Sequence, residues 1–421
     1  MHKIHRLSRL ILVLSVLLIP AILLQGCAES IEASKTWRGA FPNDPDDPTS
    51  NRPSKMEVTQ IEPLKQSALS NAPRVANLPP VKVAILLPLS GKHAALGQSM
   101  LQAAQMALFE MGYDNFNLLP RDTKGTAVGA KSAAETSLND GAQLIIGPLF
   151  AESVRAVQQV TASKNINIIS FSTDWTLAGP GIGQNTYLMG FMPFAQVERV
   201  VGYANDVGFQ NFGLIAPMNK YGDTVSRAFA QKITSSGNRI SRQMRFIAGA
   251  NDLSAQIENF AQESAPVDAV FIPVGGPSAE TIAGLLSFHG LPANRVKYIG
   301  TGLWDDERLI KEQNLRGAIF AGPSPTLRKS FEQRYQNLYS QAPVRLASLA
   351  YDATALAAVL AQQGGGANGF NRAALTNPNG FAGTDGIFRF GNNGLVERGL
   401  AILELSGGKT IEVSPAPRSF Q

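Results

Sequence analysis

Cysteine and histidine are scarce in this chain of 421 residues. It has one cysteine, Cys27, and four histidines, of which two lie within the first five residues. A single thiol excludes a disulfide framework. The other two histidines, His93 and His289, are far apart, and no Cys/His cluster, HExxH motif or GxSxG motif occurs. We therefore expect no metal, no cofactor and no enzymatic activity.

Charged residues are also few. They make up 16% of the chain, and the formal net charge is +5. Three of the positive charges, on Lys3, Arg6 and Arg9, lie in an N-terminal stretch that we expect to be removed, which leaves +2. A nearly neutral chain lacks the basic surface that nucleic-acid binding requires, so we expect no nucleic-acid partner.

The first 26 residues are typical of a lipoprotein signal peptide. A basic start is followed by the apolar run Leu10–Leu24, which at 15 residues is shorter than the ~20 that a membrane-spanning helix needs. The run ends in Leu24-Gln25-Gly26-Cys27, which resembles a lipobox and predicts that Cys27 is lipidated. The N-terminal lipid would then attach the chain to a membrane. Since Ala28 and not Asp follows, we expect the periplasmic face of the outer membrane, with inner-membrane anchoring as the less favoured alternative.

Residues 27–80 are predicted to form the lipidated cysteine and a disordered tether. The stretch after Cys27 contains eight prolines, many Asn, Asp and Ser residues, and little apolar periodicity. Such a composition cannot bury enough apolar surface to offset the conformational entropy that ordering would cost.

Residues 81–413 alternate between apolar strands and amphipathic helices. The strands read as continuous apolar runs, beginning with Val81–Leu87, and this predicts parallel sheets covered by helices on both faces. The fold class is therefore α/β, with two doubly wound parallel-sheet lobes joined by a hinge and a ligand cleft between them. We expect lobe 1 to comprise about 81–192 plus 325–380, and lobe 2 about 193–322 plus 383–413. Gly407-Gly408 predicts a hairpin turn.

Several motifs in this region resemble the leucine-binding-protein-like family of type I periplasmic binding proteins. They are the opening strand and loop at 83–91, the third strand and its turn at 144–148, a helix start at 220–223, a late helix at 351–353 and closing strands at 386–395. Within that family, the chain most resembles the penicillin-binding protein activator lipoproteins. The resemblance implies a peptidoglycan synthase as partner. Those activators also carry a helical-repeat domain, and here the stretch before residue 81 stands in its place.

The resemblance also implies a ligand site on loops that follow the strands. The candidate residues are Ser90, Gly91, Ala151, Ser153, Ser172, Thr173, Tyr221, Gly275 and Trp304. In amino-acid-binding members, the first hydroxyl ligand aligns with Ala151, and the acid that pairs with the ammonium aligns near Gly302. An unpaired ammonium in a closed cleft costs several kcal/mol. We therefore do not expect a plain aliphatic amino acid, whereas another small ligand, or none, remains open.

Two functions are compatible with these features. The first is an outer-membrane lipoprotein that regulates peptidoglycan synthesis by contacting a penicillin-binding protein. The alternative is the substrate-binding receptor of an ABC transporter for an amino acid or another small solute.

Overall fold

The structure is a computed structural model that describes residues 59–60 and 80–420. The predicted signal peptide, Cys27 and most of the predicted tether lie outside these residues. The strands are β1 Thr59–Gln60, β2 Val81–Leu87, β3 Phe116–Asp122, β4 Leu144–Ile146, β5 Asn167–Ser170, β6 Thr186–Leu188, β7 Asn211–Pro217, β8 Arg239–Phe246, β9 Ala269–Phe271, β10 Lys297–Gly300, β11 Ile319–Gly322, β12 Phe381–Gly383, β13 Gly386–Phe390, β14 Val396–Arg398, β15 Ala401–Ser406 and β16 Lys409–Ser414. The α-helices are α1 Ala94–Met111, α2 Ala127–Asn139, α3 Ala151–Thr161, α4 Pro193–Asp206, α5 Lys220–Ser235, α6 Leu253–Gln262, α7 Gly276–Phe288, α8 Glu307–Ile310, α9 Pro325–Tyr339, α10 Ala347–Gln363 and α11 Arg372–Leu375.

Lobe 1 is built on a five-stranded parallel sheet in the order β3-β2-β4-β5-β6. Side chains on one face of β2, Ala84 and Leu86, pack with Ala134 of α2 and Val157 of α3. Apart from the partly exposed Lys82, its other side chains are buried as well, so helices cover both faces of the strand. Helices α1 and α10 pack against each other in this lobe.

Lobe 2 is built on a seven-stranded sheet in the order β16-β15-β11-β10-β9-β7-β8. The strands from β11 to β8 run parallel, whereas β15 and β16 are antiparallel additions at the β11 edge. Gly407 and Gly408 join β15 to β16 with φ values of +59° and +85°, which glycine adopts without strain. The predicted hairpin is therefore confirmed.

A small sheet, β1-β12-β13-β14, belongs to lobe 1 and not to lobe 2 as expected. Leu395, next to β14, bridges Leu188 of β6 in parallel. The approach is close, because a Cβ on Gly394 would lie 2.3 Å from the carbonyl oxygen of Thr186. The chain therefore enters lobe 2 for the last time after β14. This corrects the predicted boundary near residue 383. The chain crosses between lobes at 189–192, 323–324 and 399–400.

The first strand lies inside the stretch that was predicted to be disordered. Thr59 and Gln60 pair in parallel with Phe381 and Ala382 at the free edge of β12. At these two residues the prediction of disorder is wrong, since an unpaired strand edge offers main-chain donors and acceptors that a passing segment can satisfy.

The C-terminal segment connects the two lobes a fourth time. Arg199 of α4 donates to the Ser414 hydroxyl at 2.7 Å, which holds the end of β16 on lobe 2. Six residues later, the Phe420 ring lies 4.4 Å from the guanidinium carbon of Arg389 in the small sheet of lobe 1. Within the described residues, no helix is long and apolar enough to cross a membrane.

Candidate functional site

A cavity of about 350 Å³ lies between the lobes, where the three crossovers meet. Phe191, Pro323 and Leu400, one from each crossover, contribute to its wall. Most of the lining is apolar, with a small number of polar groups, and this combination is typical of small-molecule sites. The lining residues are Thr173, Phe191, Pro193, Gln196, Tyr221, Gly302, Leu303, Asp305, Ala321, Gly322, Pro323, Arg345, Leu346 and Leu400.

Two of the predicted ligand residues, Thr173 and Tyr221, line this cavity. Thr173 follows β5 in lobe 1 and Tyr221 lies in the first turn of α5 in lobe 2, so they face each other across the cleft. The Tyr221 hydroxyl is 3.0 Å from the Thr301 hydroxyl. Burial raises the pKa of Tyr221 to about 12, so it remains a neutral hydroxyl at physiological pH.

Four other predicted residues of lobe 1 do not line the cavity. Ser90 is exposed and donates to Asp122 at 2.5 Å, and its neighbour Gly91 begins a 3₁₀ turn. Ala151 is the first residue of α3. Ser153 is buried in the same helix, where its hydroxyl has no hydrogen-bond partner among the described residues.

Ser172 and Gly275 are also outside the cavity lining. The Ser172 hydroxyl is buried and accepts from the backbone N–H of Asp174 at 3.2 Å, so it shapes the loop that carries Thr173. Gly275 packs against Leu303, since a Cβ there would lie 3.1 Å from the Leu303 Cβ.

Trp304 is a core residue of lobe 2, and the prediction that it lines the cleft is wrong. Its side chain is fully buried, and its indole N–H donates to the Val274 carbonyl at 2.8 Å. The ring lies against Gly300, where an added Cβ would be 2.2 Å from it. The neighbours Leu303 and Asp305 line the cavity in its place. An alternation of this kind follows from the 3₁₀ turn at Gly302–Trp304, which directs successive side chains to different sides.

The charged groups at the cavity are Asp305 of lobe 2 and Arg345 of lobe 1. They form an ion pair at 3.3 Å between Oδ2 and Nε. Asp305 is the first of three consecutive acids, Asp305-Asp306-Glu307, at the start of α8. Asp306 does cap α8, because it accepts from the backbone N–H groups of Arg308 and Leu309. Asp305 instead faces the opposite lobe. No sequence signal distinguishes Arg345, which lies in the turn before α10.

Arg345 also contacts a buried polar cluster of lobe 1. Its Nη1 lies 3.4 Å from Asp385 and 3.3 Å from the Ser348 hydroxyl. Asp352 and Arg398 lie in the same cluster. Burial and the nearby charge of Asp385 raise the pKa of Asp352 to about 7, although the Thr384 N–H and Arg398 act in the opposite direction.

Asp174, the acid that follows the predicted ligand residues Ser172 and Thr173, is already paired. It accepts from Arg155 at 2.8 Å and from Lys220 of the opposite lobe at 3.1 Å. Burial acts to raise its pKa, but hydrogen bonds from Thr176 and Lys220 hold the pKa below its usual value. Glu152, which lies between Ala151 and Ser153, is exposed and pairs with Arg155. Neither lines the cavity, so among the described residues the cavity has one acid, Asp305, and that acid is engaged.

Comparison with protein families gives a match over most of the chain. A family model described as periplasmic binding protein matches residues 80–409. The match covers both lobes and all three crossovers.

Two curated relatives are penicillin-binding protein activators named LpoA. The one from Haemophilus ducreyi is 23% identical over 393 residues, which is 88% of this chain and 59% of the relative. The one from Photobacterium profundum is 28% identical over 197 residues, which is 43% of this chain and 31% of the relative. The chain therefore spans between about a third and three fifths of the length of these relatives.

Solved structures share the architecture. A branched-chain amino acid ABC transporter periplasmic ligand-binding protein from Burkholderia xenovorans superposes with a TM-score of 0.68 at 17% identity, covering 80% of this chain and 95% of that one. The leucine binding protein LivK from Thermotoga maritima gives 0.59 at 20% identity, covering 79% and 98%. At these identities the likeness concerns the fold, and it confirms the predicted two-lobed α/β class.

Proposed function

This chain belongs to the periplasmic binding protein family, and we propose that it is a non-catalytic regulator of peptidoglycan synthesis that contacts a penicillin-binding protein. In this proposal Cys27 carries a lipid that anchors the chain at the periplasmic face of the outer membrane. The tether then lets the two-lobed domain reach its partner.

The observation that carries the proposal is the mutual pairing of the cleft charges. A receptor for an amino acid needs a free acid for the ligand's ammonium and donors for its carboxylate. Asp305 is the one acid among the described lining residues, and Arg345 neutralises it across the cleft. A buried ammonium without a partner would cost several kcal/mol, so this cleft is a poor receptor for a zwitterion. The activator names of the curated relatives then favour a protein partner.

The test is recovery of a penicillin-binding protein by the full-length lipidated chain. The chain would be purified in detergent and incubated with membranes of the organism that produces it, after labelling with a fluorescent penicillin. We expect a labelled synthase to be retained and its glycan polymerisation to increase when the chain is added. A solute receptor of the same fold serves as the control. Retention of no labelled protein, with no change in synthase rate, would contradict the proposal.

The second candidate, a solute receptor for an ABC transporter, is favoured by the apolar cavity of about 350 Å³. Isothermal titration calorimetry against amino acids, small carboxylates and muropeptides separates the two functions. Micromolar binding of an amino acid would support the receptor and would show that Ala151 and Gly302 were misaligned. Absence of heat across the panel would leave the domain as a docking scaffold.

A further inference from the structure

Two arginines of lobe 1 converge on one carboxylate of lobe 2. Arg328, in the first turn of α9, donates through Nη1 to Asp305 Oδ2. Arg345, in the turn before α10, donates to the same oxygen at 3.3 Å. The Asp305 side chain is 8% exposed and those of the arginines are 20% and 32% exposed, so the three groups are largely removed from water.

Lobe 1 holds both arginines in position without help from lobe 2. Arg328 also pairs with Glu332 one turn along α9, at 3.2 Å. Arg345 is fixed by Ser348 and Asp385. Guanidinium groups that are oriented in advance lose little side-chain freedom when a carboxylate arrives, and this is how proteins recognise carboxylates tightly.

The other ion pair between the lobes is much more solvated. Lys220 and Asp174 lie 3.1 Å apart, but the lysine side chain is 74% exposed. A solvent-exposed pair of this kind contributes little to stability. Asp305 is therefore the main charged contact between the lobes among the described residues.

We propose that Arg328 and Arg345 form a carboxylate-binding site of lobe 1, and that the chain's own Asp305 occupies it as an internal ligand that holds the lobes together. The inference does not depend on which protein, if any, the chain contacts.

Separation of Asp305 from the two arginines would have a different result from separation of an ordinary ion pair in a protein core. The partners belong to two lobes that each have their own sheet, so the pair can separate without unfolding either sheet. Both sides would then face the cavity, which has room for a small anion. A carboxylate attached to the opposite lobe also acts at a high effective concentration, so millimolar free carboxylate should not displace it.

Chemical rescue of Asp305→Ala in the full-length chain tests the proposal. Hydrogen–deuterium exchange would be followed in two segments that span the first two crossovers, 189–193 and 321–328, and in the sheet cores, 81–87 and 269–271. We expect exchange at the crossovers to become about tenfold faster or more, with the sheet cores unchanged. Millimolar acetate should restore slow exchange in the variant, while chloride at the same ionic strength should not. Acetate should leave the wild type unchanged.

Two further variants keep the test decisive. Asp140→Ala breaks an ion pair with Arg121 inside lobe 1, and it should neither accelerate exchange at the crossovers nor respond to acetate. Asp305→Ser removes the carboxylate, leaves room for acetate between the two arginines, and replaces the alanine variant if that one does not fold. Unchanged exchange at the crossovers would overturn the proposal. So would equal acceleration in the sheet cores, or equal rescue by acetate and chloride.

Discussion

The guanidinium carbon of Arg345 lies 4.6 Å from the centroid of the Phe191 ring. Phe191 lies in the first crossover, and the guanidinium carbon of Arg398, just before the last crossover, lies 4.8 Å from the same ring. One aromatic ring therefore stabilises two cations at the hinge by cation–π contact. Phe191 therefore contacts the buried polar cluster of lobe 1 and also lines the cavity.

Replacing Phe191 by leucine should destabilise the protein by about 1–2 kcal/mol, because an aliphatic side chain has no π face for the two guanidinium groups. Urea unfolding measures this change. The matched control is Phe109→Leu on α1, where the ring is 82% exposed and the change should stay within about 0.5 kcal/mol. Equal effects of the two substitutions would contradict the assigned role of Phe191.

Asp352 should make stability depend on pH. A carboxyl whose pKa is higher in the folded than in the unfolded state binds its proton preferentially when folded. The stabilisation that protonated Asp352 contributes is therefore fully present below the pKa of the unfolded state, near 3.8. It is lost as the pH rises through the folded-state pKa of about 7. Asp352→Asn mimics the protonated form, so its stability relative to the wild type should rise across this window by on the order of a few kcal/mol.

Unfolding free energies of wild type and Asp352→Asn at intervals between pH 4 and pH 8 test this, since the window runs from 3.8 to about 7. Asp140→Asn at an exposed ion pair controls for the general effect of removing an acid. A constant difference between wild type and Asp352→Asn at all pH values would contradict the prediction.

Substitutions at Trp304 and Leu303 should differ in how much stability they remove. Trp304→Phe leaves the Val274 carbonyl without its donor and opens space in the core, so we expect a loss of about 1–3 kcal/mol. Leu303→Ala trims a side chain that is 47% exposed at the cavity, and it should change stability little. Thermal unfolding compares the two. A larger loss for Leu303→Ala than for Trp304→Phe would contradict the assignment of Trp304 to the core.

The C-terminal segment should stabilise the connection between the lobes. Phe420→Ala removes the ring beneath Arg389, and we expect a loss of about 1 kcal/mol. Ile411→Ala, on the exposed side of β16, is the control and should be close to neutral. Faster amide exchange at 399–400 in the Phe420 variant alone would identify the segment as a link between lobes. Identical exchange in both variants would contradict it.

The sequence predicts strands that are buried on both faces, such as β2, because continuous apolar runs are typical of that environment. This pattern misses β3 and β8, which lie at sheet edges and carry Arg121 and Arg245 on partly solvated faces. Pro120 in β3 also predicts the end of a strand, although an edge strand tolerates proline.

The sequence by itself determined the α/β alternation, the βα order and the Gly407-Gly408 turn, because each depends on local periodicity or on a backbone conformation that few residues adopt. Only the tertiary structure decided that Asp305 faces the opposite lobe while Asp306 caps α8, and that Arg345 meets Asp305 from 40 residues away. It also decided that β13 pairs within lobe 1. Such choices depend on contacts between distant segments, and no short stretch of sequence encodes which of two adjacent acids will be oriented toward them.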